Sequence, residues 1–76
     1  MAAQRIAIDP RVMGGVPVIR GTRIPVATIV GLVAEGLAVE AIVTDFPQLS
    51  QEDVRAALAF AAAAVAERQL PLRLTA

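Results

Sequence analysis

Seventy-six residues with zero net charge, 57% of them hydrophobic and only 3% aromatic, allow one domain, which at this size buries roughly 60% of the surface its unfolded chain would expose. The chain has no His, Cys, Lys, Tyr, Trp or Asn. That excludes disulfides, thiolate and imidazole metal ligands, Schiff-base amines and the commonest general bases, and leaves Asp, Glu, Ser, Thr and Arg as the only groups on which chemistry could run.

In chain order, Arg5-Ile6-Ala7-Ile8 alternates as a half-buried edge strand does, and Asp9-Pro10 ends it, because a residue before proline is pushed out of the helical region. No long apolar run precedes a small-residue cleavage site, so this stretch does not read as a secretory signal, and the cytoplasm is the expected compartment. Gly14-Gly15 permits a turn. Val16-Pro17-Val18-Ile19 and Arg23-Ile24-Pro25-Val26 then read as two short strands around Arg20-Gly21-Thr22, with Gly21 free to take the positive φ of a tight turn. Pro17 and Pro25 each remove a ladder donor, so the sheet must be small and its proline strands edges.

From Ala27 the period changes. Ile29, Val30, Leu32 and Val33 mark a short amphipathic helix that stops at Gly36, and Val39, Ile42 and Val43 mark a second one ended by Phe46-Pro47. Leu49-Ser50-Gln51-Glu52-Asp53-Val54 carries the signature of a helix start: Ser50 as N-cap, Asp53 as its capping-box partner, and Leu49 facing Val54 as a hydrophobic staple. The third helix is expected from about Gln51 to about Arg68, with Val54, Leu58, Ala61 and Val65 on one face. Its alanines and Phe60 make it apolar nearly all round, more than so small a domain can cover, so a second chain is expected against it and a homodimer follows. Arg55 and Glu67 interrupt the apolar stretch between them well short of a membrane span.

The last segment, Leu70-Pro71-Leu72-Arg73-Leu74-Thr75, alternates strictly and has no neighbouring strand to pair with. The expected organisation is therefore a helical domain over residues 1–68 and an extended tail over 69–76. The fold class is mainly α, a trihelical helix-turn-helix of the homeodomain-like or winged-helix-like kind, with a small N-terminal β-hairpin or sheet.

Charge is unevenly spread: residues 1–25 hold four arginines against Asp9, whereas residues 26–53 hold five acids and no arginine. Arg11, Arg20 and Arg23 are thus the candidate nucleic-acid contacts. The other reading of Arg20 and Arg23 is structural, pairing with Asp9, Asp45 or backbone carbonyls to fix the hairpin. The third helix is a poor DNA reader, since its first turn, Gln51-Glu52-Asp53, would bring two negative charges to the phosphates. Only Glu52 and Asp53 are adjacent carboxylates, and capping accounts for them, so no catalytic residue, metal or cofactor is expected.

Ile8-Asp9-Pro10, Gly14-Gly15, the string Pro17-Val18-Ile19-Arg20-Gly21-Thr22-Arg23-Ile24-Pro25-Val26, Gly36, Phe46-Pro47-Gln48-Leu49, and Asp53-Val54 with Ala57-Leu58 resemble the pattern of the domain-of-unknown-function 433 family. Val18-Ile19-Arg20-Gly21-Thr22-Arg23 is the specific part. The resemblance implies a bacterial or archaeal helix-turn-helix protein related to VapB-type antitoxins, often encoded beside a PIN-like nuclease, and it carries over no catalytic residue.

The expectation is a non-catalytic antitoxin that neutralises a PIN-like ribonuclease toxin encoded nearby, with autoregulatory binding of operator DNA as a second activity. The alternative is a stand-alone helix-turn-helix transcriptional regulator. The expected partner-binding residues are Phe60 on the third helix and Leu70, Leu72, Arg73 and Leu74 on the tail. Arg73 between two leucines is suited to entering a carboxylate-lined metal site.

Overall fold

The structure, a computed structural model, describes residues 5–68. Three helices pack around one another, with a two-stranded antiparallel sheet whose first strand lies against the third helix. Strand β1 (Ile6–Ala7) pairs with β2 (Val18–Ile19), Ile6 opposite Ile19 and Ala7 opposite Val18. Between them Asp9 begins a turn: its carboxylate accepts the Arg11 N–H at 2.9 Å and its carbonyl accepts the Val12 N–H at 2.8 Å. Helix α1 spans Val26–Ala34, α2 Val39–Asp45 and α3 Gln51–Arg68.

The chain boundaries follow local chemistry. Gly36, at φ +102°, closes α1: its N–H donates to the Val33 carbonyl and the Leu37 N–H reaches back to Leu32, the paired bonds of a Schellman stop. Phe46 donates to the Ile42 carbonyl, and Pro47 prevents α2 from continuing. At the start of α3 the capping box forms as expected, with the Asp53 N–H donating to Ser50 Oγ at 3.2 Å and the Ser50 N–H donating to Asp53 Oδ2 at 3.0 Å. Leu49 and Val54 are both buried in the core that this start seals.

One expectation needs correction. Residues 23–26 do not form a strand. The chain makes a single bridge, Val18 opposite Pro25, flanked by bonds from Ile19 N–H to the Ile24 carbonyl and from Val26 N–H to the Pro17 carbonyl. Pro25 offers no N–H to extend a ladder, and its extended backbone (φ −68°, ψ 146°) instead makes it the N-cap of α1, so the helix begins at Val26 rather than after it. The strands that do pair are β1 and β2, with the 20–22 turn closing the second of them.

Val65 shares a face with Ala61, as expected, but lies beyond the core. Val54, Ala56 and Ala57 of α3 are buried and Leu58, Phe60 and Ala61 half-buried, but residues 62–67 are all exposed, and Val65 retains 64% of its surface. Helix α3 is 18 residues long and α1 nine. The second half of α3 runs past the end of the core, so among the described residues its apolar face stays exposed. No helix among the described residues is long and apolar enough to cross a membrane.

At the centre of the core Ile19, Ile29, Ile42 and Val54 are fully enclosed, one each from β2, α1, α2 and α3. Arg5 adds a polar staple from β1 to the start of α3, its Nη1 donating to Asp53 Oδ1 at 2.9 Å. Burial alone would raise the Asp53 pKa; the Ser50 N–H, Arg5 and the Ser50 hydroxyl together outweigh it and hold this carboxyl below its ordinary range. A depressed folded pKa contributes stability that is present above the unfolded value of about 4 and lost as pH falls through the folded one. Asp53→Asn is therefore expected to lower the melting temperature at pH 7 and to flatten its decline below about pH 4. Thermal melts across that range check this; a variant as acid-sensitive as the parent would contradict it.

Candidate functional site

Two surfaces stand out, one apolar and one basic, and both draw residues from the 16–26 segment. The apolar one is a groove of about 350 Å³. Val16 and Pro17 close one end, Ala27 and Val30 of α1 form one wall, and Phe60, Ala61, Ala64 and Val65 of α3 form the other. It exists because α3 overhangs the core: residues 60, 61, 64 and 65 recur on one face at helical spacing, and α1 is too short to cover the last of them. Val16 is 39% exposed beside it. The groove has no charged residue in its lining.

Phe60, expected at a partner surface, lies in this wall. Leu70, Leu72, Arg73 and Leu74 lie outside the described residues. Val16, Ala27 and Val30 were not expected at a partner surface. Ala27 and Val30 are three apart on α1, a spacing that marks a common face, but the sequence does not show that this face looks toward the overhang of α3.

The basic surface is the turn at 20–24 with the cleft beneath it. Arg20 is structural: its backbone N–H donates to the Arg5 carbonyl at 2.7 Å and its Nη2 to the Ile6 carbonyl at 3.1 Å, fastening the turn to β1. Gly21, at φ +84°, makes the reversal possible. Thr22 then locks it, its hydroxyl donating to the Ile19 carbonyl at 2.8 Å and accepting the Ile24 N–H at 3.0 Å.

Arg23 differs from its neighbour. It is exposed, and among the described residues it forms no hydrogen bond or ion pair. Arg11 binds Asp9 as a fork, with Nε to Oδ1 and Nη2 to Oδ2, both at 3.1 Å, and this guanidinium holds the Asp9 carboxyl below its ordinary range. Of the three candidate nucleic-acid residues, then, Arg11 is bound to an acid yet open to solvent, Arg20 bonds to backbone and Arg23 is unpaired. Arg5, a fourth basic residue of this region, is bound to Asp53. The basic surplus read from the sequence is thus concentrated at the turn. Among the described residues no group of three acidic side chains is placed to hold a metal ion.

The chain is similar to the uncharacterised protein y4eO of Sinorhizobium fredii, 39% identical over 62 residues that cover 82% of this chain and 28% of that protein. It is also similar to a crystal structure of a DUF433 member protein from Anabaena variabilis, with a TM-score of 0.69 and 39% identity over 74% of this chain and 55% of that one. In both cases the chain spans well under two thirds of its relative's length. The family pattern described as "protein of unknown function (DUF433)" matches residues 6–61, which include the turn, the whole of the core and Phe60, and so this chain belongs to the DUF433 family.

Proposed function

We propose that this protein is a non-catalytic binding module that acts as an antitoxin of the VapB type, neutralising a PIN-like ribonuclease encoded nearby by binding it directly. The observation that carries the reading is the apolar groove between α1 and the overhang of α3, which no described residue fills. A lone domain gains stability by covering such a surface, whereas a binding module keeps it for its partner. The groove suits the apolar side of a helix or strand of the partner, because uncharged walls penalise an unpaired charge brought against them. The relatives of known length carry the module within longer chains, which fits a recognition unit joined to other segments. The lack of His, Cys and Lys throughout the sequence supports a non-catalytic role.

A second reading, a DNA-binding regulator, is favoured by the unpaired Arg23 on its rigid turn. Co-expression of the tagged chain with the product of its adjacent gene, followed by a light-scattering mass of the purified material, separates the two. A stable mixed complex is expected. A homo-oligomer that leaves its neighbour behind would overturn the antitoxin reading in favour of the regulator.

A further inference from the structure

We propose that the cleft beneath the 20–24 turn is a phosphate-binding site through which the protein grips the backbone of a nucleic acid, with Arg23 as the principal contact and Arg11 as the second. The inference rests only on the nucleic-acid-binding part of the reading above and needs no toxin partner.

The cleft measures about 660 Å³ and is open to solvent. Its lining joins the aliphatic Val12, Val18 and Ile24 to the polar Thr22, Arg23 and Gln48. Among the described residues the Arg23 guanidinium is unpaired, and neither the Gly21 nor the Arg23 backbone N–H has an acceptor. Exposed donors on a fixed turn are prepared for an anion in a way that a mobile lysine is not, because little freedom is lost when they bind.

The turn is fixed by the Thr22 hydroxyl within and by Arg20 from outside. Asp9 is the one carboxylate in the lining, and both of its oxygens are engaged by Arg11. That fork sets Arg11 beside the cleft, with its side chain 89% exposed and donors to spare. Two guanidinium groups and a cleft much larger than one phosphate suit successive groups of a polymer better than a single small ion.

The rest of the molecule points the same way. The acids Glu35, Glu40, Asp45 and Glu52 are all exposed on α1, α2 and α3 and their junctions, so the first turn of α3 is repelled by phosphate. A helix-turn-helix that docked by its last helix would present Glu52 and Asp53 to the duplex. Docking by the turn presents Arg23 and leaves those acids aside, so the strand-and-turn end replaces the helix as the nucleic-acid contact.

Fluorescence anisotropy with a labelled mixed-sequence DNA duplex and, in parallel, a labelled single-stranded RNA tests the site, with the full chain titrated at several salt concentrations. Either nucleic acid offers the same phosphodiester chemistry, and the two arms show which is preferred. Arg23→Ala is expected to weaken binding roughly tenfold at low salt and to reduce the salt slope by about one. Asp9→Asn keeps an oxygen for the Arg11 N–H while removing a negative charge from the cleft, and is expected to tighten binding roughly threefold, a gain a merely structural residue would not give. Arg55→Ala, an exposed arginine on α3 outside the cleft, is expected to change binding little.

Binding that survives Arg23→Ala, or falls equally with Arg55→Ala, would overturn the site while leaving nucleic-acid binding in place. A parent protein that binds neither probe at low salt would overturn both.

Discussion

Ile42→Ala is expected to cost about 3 kcal/mol of stability, the middle of the range for removing a large buried aliphatic side chain from a packed core. Ile42 has no exposed surface and sits midway along α2, a helix of only seven residues that has no side-chain N-cap. Such a short helix contributes little stability of its own, so its position depends on the side chain it inserts among Ile29, Leu49 and Val54. A domain of this length has roughly 4–11 kcal/mol in all. The loss is therefore a large fraction of the total, equivalent to a fall in melting temperature of roughly 12–24 °C. Ile8→Ala provides the contrast: Ile8 is 58% exposed and outside the core, and its truncation is expected to fall within about 0.5 kcal/mol. Paired thermal or urea melts check both, and equal effects would mean that the core does not lie where Ile42 places it.

The parts of this fold that are legible in the sequence are those set by residues close together in the chain. Ser50 and Asp53 are three apart and bond each other whatever else the chain does, and Gly36 ends α1 because few other residues adopt its backbone angles cheaply. The mainly helical class with a small sheet follows from the same local signals. Pro25 is harder to read, because a proline in an apparent strand and a proline before a helix look alike until the pairing of Ile19 with Ile24 shows which backbone groups are already used. Arg5 and Asp53 are 48 positions apart, and their ion pair depends on β1 meeting the start of α3. The same holds for the sites. Charge counting picked out the basic turn but could not tell Arg20, held by Ile6, from the unpaired Arg23. The apolar excess of α3 was plain, whereas the groove it forms with Val30 and Val16 depends on where α1 stops.

A charge placed in that groove is expected to abolish partner binding without unfolding the domain. Ala64 is the position of choice, since it lines the groove yet is itself exposed, and glutamate is nearly as good a helix former as alanine. Ala64→Glu is expected to shift stability by no more than about 0.5 kcal/mol. In a complex, the apolar surface that fills the groove would enclose an unpaired carboxylate, so affinity is expected to fall at least 100-fold. Ala62→Glu supplies the control: it adds the same charge to the same helix, two residues and hence about 200° away, on a face outside the groove. Titration of each variant against the purified partner, with a melt of each alone, distinguishes the outcomes. Loss of binding with Ala64→Glu but not Ala62→Glu places the partner in the groove. Equal affinities for both would remove the groove from the interface and leave the tail segment around Arg73 as the next place to seek the contact.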